Sequence, residues 1–126
     1  MEQGKIKVLI ADDHSLFRKG LEQLLELEND IEVVGEASNG KEVVEKTLHL
    51  NPDVILMDIN MPIQNGIYAI KDLKQRGCPA KIIVLTVHDD REYLLEAVKI
   101  GASGYIMKDA DVDHLLKAIR DVYRGE

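Results

Sequence analysis

The sequence predicts a doubly wound α/β fold, in which helices cover both faces of a parallel sheet. Three observations lead there. Five short apolar runs alternate with five stretches of helical periodicity, the pattern of repeated strand-helix units. The runs are continuously apolar instead of alternating, as strands buried on both faces are. A chain of 126 residues suits one domain, expected to bury roughly two-thirds of its unfolded surface.

The elements follow in order. Ile6 to Ala11 is rich in β-formers and runs into Asp12-Asp13-His14-Ser15, a turn-and-cap cluster. Phe17, Leu21, Leu24 and Leu25 then recur at helical spacing as far as the break at Asn29-Asp30. Ile31 to Ala37 reads as the second strand and Ser38-Asn39-Gly40 as a turn. Val43, Val44, Thr47 and Leu48 stripe the second helix, closed by Asn51-Pro52. Val54 to Asp58 is the third strand, an apolar run that stops at a carboxylate before Ile59-Asn60-Met61-Pro62. Gly66 to Gln75 carries Ile67, Ile70 and Leu73 on the third helix, ended by Gly77. Lys81 to Thr86 is the fourth strand, and Leu94, Ala97 and Val98 mark the fourth helix, stopped by Gly101. Gly104 to Lys108 is a short fifth strand, and Leu115, Ile119 and Val122 stripe a final helix capped near Asp111. Five such units favour the flavodoxin-like strand order 2-1-3-4-5. Its switch point lies between strands one and three, and its ligands sit outside the carboxyl ends of the strands.

Composition narrows the function. A net charge of −7, with no cluster of lysine and arginine, argues against direct nucleic-acid binding, since phosphate backbones are held by such clusters. The single cysteine, Cys78, cannot form an intrachain disulfide and has no metal-ligand spacing around it, which suits a reducing compartment. No apolar leader opens the chain, and no run approaches the ~20 residues that span a bilayer. The expectation is a soluble, cytoplasmic protein with no membrane partner. His14, His49, His88 and His114 are scattered without ligand spacing and are expected at or near the surface, His14 beside the acidic pair.

The carboxyl edge concentrates the chemistry. Strand one presents Asp12 and Asp13 there, strand three Asp58, strand four Thr86 and strand five Lys108, while strand two presents only Ser38 and Asn39. Singly these are a helix cap, turn chemistry, a strand end and a solvated charge. Together they bring three carboxylates, a hydroxyl and an ammonium to one crevice. Carboxylates about 4 Å apart repel by about 4 kcal/mol per pair at an effective dielectric of about 20. A divalent cation offsets that repulsion, and oxygen donors without a Cys or His cluster select Mg²⁺, with Mn²⁺ as a substitute. Asp58 can then act as an oxygen nucleophile toward phosphorus, with the metal and Lys108 stabilising the transferring oxygens and Thr86 donating to one of them.

These motifs resemble the receiver domain of two-component response regulators over essentially the whole chain: Asp12-Asp13 after strand one, Asp58-Ile59-Asn60-Met61-Pro62 with Gly66 beyond, Thr86 closing strand four, and Tyr105-Ile106-Met107-Lys108. Ala11-Asp12-Asp13-His14 and Gly101-Ala102-Ser103-Gly104-Tyr105 are similar to the subgroup that carries a C-terminal helix-turn-helix DNA-binding domain. The resemblance implies that Asp58 accepts a phosphoryl group from a sensor histidine kinase. It implies that Asp13, Asp58 and the backbone carbonyl of Asn60 hold Mg²⁺, with Asp12 contributing through water. It implies a switch in which Thr86 moves toward the phosphate and Tyr105 rotates into the vacated space, with Asn60 and His88 tuning the lifetime of the phosphate. Such a chain is a signalling domain and not a turnover enzyme. It is expected to be one receiver, residues 1–126, of a longer regulator whose DNA-binding domain lies outside it. Phosphorylation would control homodimerisation or domain release through the last strands and helices, where Ile100, Val112, Leu116 and Tyr123 are candidate apolar exposures. Two rivals fit less well. An aspartyl-nucleophile phosphatase wants a second acid where Asn60 stands, and an FMN carrier wants a Ser, Thr and Gly phosphate loop where Asp12-Asp13 stands.

Overall fold

Each apolar run and each helical stripe becomes one element. The computed structural model describes residues 4–58, 61, 66–86 and 91–125, the side chains of Arg91 and Tyr93 excepted. The elements are β1 (Ile6–Ala11), α1 (Ser15–Glu26), β2 (Ile31–Ala37), α2 (Gly40–Leu50), β3 (Val54–Asp58), α3 (Gly66–Gln75), β4 (Lys81–Thr86), α4 (Arg91–Lys99), β5 (Gly104–Met107) and α5 (Val112–Arg124). The strands form one parallel sheet in the predicted order, β2-β1-β3-β4-β5. β5 ends one residue before the sequence suggested, yet the Lys108 N–H still donates to the Thr86 carbonyl at 2.7 Å.

Alternation along the central strands sends successive side chains into two cores. Leu9, Ile55, Met57, Ile82 and Val84 pack beneath α2, α3 and α4, while Val8, Ile10, Leu56, Ile83 and Leu85 pack against α1 and α5. All five residues of β3 are buried, which is why its sequence shows no polar alternation. Leu24, Leu48 and Val98, expected on helix stripes, are instead 44%, 47% and 49% exposed. They lie at the margin of each buried arc, where the 3.6-residue period turns the next neighbour toward solvent. No described helix is long and apolar enough to cross a membrane.

Two glycines matter to this packing. Gly77 takes φ 73° and closes α3, its N–H donating to Lys74 O and that of Cys78 to Leu73 O, both at 3.0 Å. Gly35 lies just past a register shift between β1 and β2, and a Cβ there would stand 2.7 Å from the Leu50 side chain. Its bareness lets α2 lie close on the sheet.

Thr47 of α2 is 1% exposed, and its hydroxyl makes no hydrogen bond among the described residues. A buried hydroxyl without a partner costs stability, so Thr47→Val should raise the unfolding free energy by about 1 kcal/mol. Urea denaturation checks this, and a destabilised variant would show that the hydroxyl is paired.

Ion pairs tie the helices to neighbouring segments. Arg120 of α5 grips Asp30 through two bonds of 2.8 Å and reaches Glu28 at 2.9 Å. Hydrogen bonding from Arg120 holds the Asp30 carboxyl below its ordinary range. Burial alone would raise Glu36, but bonds from Arg18 and Lys19 outweigh it and leave it lowered. The backbone N–H and hydroxyl of Ser38 lower Glu42. Depressed carboxylates stabilise the fold fully above their unfolded values, 3.8 for Asp30 and 4.5 for the two glutamates, and lose that contribution as pH falls through the lower folded values. The urea midpoint should therefore fall between about pH 6 and about pH 3, and a flat midpoint would contradict these assignments.

Candidate functional site

Because β1 and β3 are neighbours, the residue after one and the last residue of the other meet at the switch point. Asp12 and Asp58 stand there with 0% and 2% exposure, a burial that carboxylates tolerate only with compensation. Lys108 supplies part of it. Its ammonium lies 2.6 Å from Asp12 Oδ2 and 3.0 Å from Asp58 Oδ2, over the Phe17 ring at 4.8 Å from the centroid. Burial pushes the Lys108 amine down, but hydrogen bonding and charge from Asp12 and Asp58 together leave it above an ordinary lysine. The ammonium is therefore held as a permanent cation between the two strands.

Backbone contacts fix Asp12 as firmly as its side chain is fixed. Its N–H donates to Ala37 O at 3.0 Å, and its carbonyl accepts from Arg18 at 2.5 Å, with Arg18 itself held by Glu36 at 2.9 Å. The sequence suggested that Asp12 and Asp13 cap the first helix, but His14 is the N-cap of α1 and makes no side-chain capping bond. Asp12 Oδ1 instead accepts the His14 N–H at 2.8 Å.

Asp12, Asp13, His14 and Asp58 can each offer one ligand atom, all within 4.8 Å of one another. Asp12 Oδ2 is buried against the Lys108 ammonium, with which it forms an ion pair of 2.6 Å. Among the described residues, three carboxylates gather around the Lys108 ammonium, an excess of negative charge that a divalent cation would offset. Hard oxygen donors of this kind suit Mg²⁺ or Mn²⁺.

The other predicted residues take varied places. Thr86, 3% exposed, ends β4 one position past Leu85, which pairs with Asp58. Tyr105 pairs with Val84 and so shares the sheet face of Thr86, but it is 55% exposed. Asn60 and His88 lie outside the described residues. His14, His49 and His114 are exposed, as expected. Leu116 is corrected: at 6% exposure it belongs to the core, because α5 buries the adjacent pair Leu115 and Leu116 together. Ile100 and Val112 are half-buried, and only Tyr123 of the four candidates is exposed.

The sequence left two features unremarked. Leu16, Leu27 and Leu95 are the most exposed large apolar residues among the described ones. Beside Lys108, an apolar cleft of ≈ 250 Å³ opens between α1 and the β5–α5 region, lined by Leu16, Phe17, Leu24, Met107 and Val112 among others. The signal for Leu16 was present, since its neighbours at i+3 and i+4 are Lys19 and Gly20 and give it no core face to join.

Residues 8–120 match the response regulator receiver domain. This chain belongs to that family. The receiver is 46% identical over 125 residues to the transcriptional regulatory protein DegU of Brevibacillus brevis, covering 99% of this chain and 53% of the relative. It is 41% identical over 124 residues to a nitrate/nitrite response regulator protein homolog of Haemophilus influenzae, covering 98% and 60%. The chain thus spans little more than half the length of these relatives. Among solved structures, the receiver domain of the response regulator NarL from Mycobacterium tuberculosis superposes with a TM-score of 0.94 at 31% identity, covering 98% of this chain and all of that one. The response regulator domain of Thermotoga maritima CheB gives a TM-score of 0.88 at 33% identity, covering 97% and 98%.

Proposed function

We propose that this receiver is switched by phosphorylation of Asp58, with a sensor histidine kinase as donor. One observation carries the reading: Asp58, nearly buried at the carboxyl end of the central strand, lies 3.0 Å from the Lys108 ammonium and within the acidic cluster formed with Asp12 and Asp13. A carboxylate oxygen of Asp58 attacks phosphorus, the bond from phosphorus to the donor's histidine nitrogen breaks, and that nitrogen keeps the electron pair. Lys108, already beside that carboxylate, neutralises charge on the transferring oxygens. Mg²⁺, or Mn²⁺ in its place, supplies further charge neutralisation when bound. Asp12, Asp13 and Asp58 would hold it, together with the Asn60 carbonyl.

The new phosphate adds close to two negative charges and three acceptors beside Thr86. Thr86 then bonds a phosphoryl oxygen, and Tyr105, which shares its sheet face and is solvent-exposed, turns inward. Lys108 lines both the acidic site and the apolar cleft, so a change in its partners reaches the β5 and α5 surface directly. That surface would control dimerisation and an output domain that regulates transcription through DNA, as the name of the DegU relative suggests. The domain itself turns over no external substrate.

Acetyl phosphate with Mg²⁺, followed by intact-mass analysis, tests the reading. One acid-stable, base-labile phosphoryl adduct is expected. Its absence, or steady turnover of a small phosphate ester in place of a stable adduct, would overturn the assignment.

A further inference from the structure

The proposed chemistry gives no task to Arg18, a side chain only 16% exposed that α1 turns back toward the end of β1. The register of β1 with both β2 and β3 ends at Ala11, and the Asp12 carbonyl just beyond accepts from Arg18 Nη1 at 2.5 Å. Arg18 Nε donates to Glu36 Oε1 at 2.9 Å. Glu36 is anchored in its turn: Lys19 reaches its other carboxylate oxygen at 3.2 Å, and Lys46 of α2 donates to its carbonyl. One guanidinium thus joins the ends of two strands, its contacts made by different nitrogens of a rigid planar fork.

We infer that Arg18 is a positioning residue for the cation site, acting through the peptide that links Asp12 to Asp13. A peptide unit is planar, so a carbonyl held at Asp12 also fixes the plane of the Asp13 N–H and the direction in which Asp13 leaves the strand. Asp13 needs such a hold. Unlike Asp12 and Asp58 it is exposed, and its ion contact among the described residues is with the exposed His14 ring at 3.3 Å. A charged donor makes a hydrogen bond about twice as strong as a neutral one. Glu36 keeps that donor from swinging out to solvent. The inference rests on reading Asp12, Asp13 and Asp58 as a Mg²⁺ site, and adds which residue holds the most exposed of the three in place.

The test compares Arg18→Lys, which keeps the charge but cannot bridge Asp12 and Glu36 with one rigid fork, with Arg120→Lys. Arg120 makes the same kind of clamp on Asp30 and Glu28, before the start of β2, and so reports what losing a guanidinium does to the fold alone. Mg²⁺ is titrated into each protein by calorimetry without a phosphodonor, and the rate of adduct formation from acetyl phosphate is then followed across Mg²⁺ concentrations. Arg18→Lys should bind Mg²⁺ about tenfold more weakly than wild type, while Arg120→Lys stays within about twofold. The adduct rate of Arg18→Lys should fall at limiting Mg²⁺ and recover at saturating Mg²⁺, a split that a damaged fold would not give. Glu36→Gln, which loosens the same fork from its far end, should weaken Mg²⁺ binding by less, and it decides the matter if Arg18→Lys does not fold. Unchanged Mg²⁺ affinity in the variant that decides, or an equal loss in both arginine variants, would overturn the proposal. Wild type that binds no Mg²⁺ would sink the cation-site reading and the inference with it. The expected affinities without any adduct would instead refute phosphorylation of Asp58 and still uphold the positioning role.

Discussion

Lys108→Ala is expected to lower the unfolding free energy of the metal-free protein by about 3–5 kcal/mol, the range for removing one partner of a buried ion pair. The reason lies in what stays behind. Asp12 and Asp58 are 0% and 2% exposed and share one ammonium, at 2.6 Å and 3.0 Å. Without it, two buried carboxylates face each other with Asp13 close by. The alkyl stem also packs, so Lys108→Met serves as the control that keeps its bulk and removes only the charge. If charge dominates, the two variants should be destabilised to within about 1 kcal/mol of each other.

Added Mg²⁺ should then recover more stability in Lys108→Ala than in wild type. A ligand that binds only the folded state stabilises it by RT ln(1 + [L]/Kd), about 2.7 kcal/mol at a hundredfold excess over Kd. With the ammonium gone, the carboxylate cluster attracts the cation more strongly, so Kd should fall. Urea titrations with and without Mg²⁺ give both numbers. Equal Mg²⁺ effects in variant and wild type would mean that Lys108 does not balance the cluster.

The same residues show what could be read from sequence and what could not. The five strands were legible because each is buried on both faces and so is written as an uninterrupted apolar run, as in β3. The meeting of Asp12, Asp13, Asp58 and Lys108 was legible because sheet order and the carboxyl-edge rule together place strand ends in one crevice. Leu116 was misjudged because helix periodicity gives the direction of a buried face but not its width, which depends on how far the sheet extends beneath α5. The orientation of His14 was not legible either. An N-cap signal predicts a side chain turned toward its own helix, and only the competing pull of two carboxylates turns this ring away.

Asp58→Asn should separate chemistry from stability, because the two respond in opposite directions. Phosphoryl acceptance from acetyl phosphate should disappear, since an amide oxygen is no nucleophile toward phosphorus under these conditions. Stability without metal should rise by about 1 kcal/mol, as the Coulomb repulsion between neighbouring carboxylates at an effective dielectric of about 20 is relieved only in part by solvent. Lys108 keeps Asp12 as a partner at 2.6 Å, and the amide oxygen can still accept from the ammonium, so no buried charge is left alone. The contrast with Lys108→Ala is sharp: that variant takes from two close carboxylates the ammonium they share, whereas neutralising Asp58 leaves the ammonium with Asp12. Intact mass and urea unfolding on one preparation read both effects. An adduct that persists in Asp58→Asn would move the phosphoacceptor elsewhere. Clear destabilisation would mean that the Asp58 charge supports the fold, in place of the poised, repulsive site that a phosphoryl switch requires.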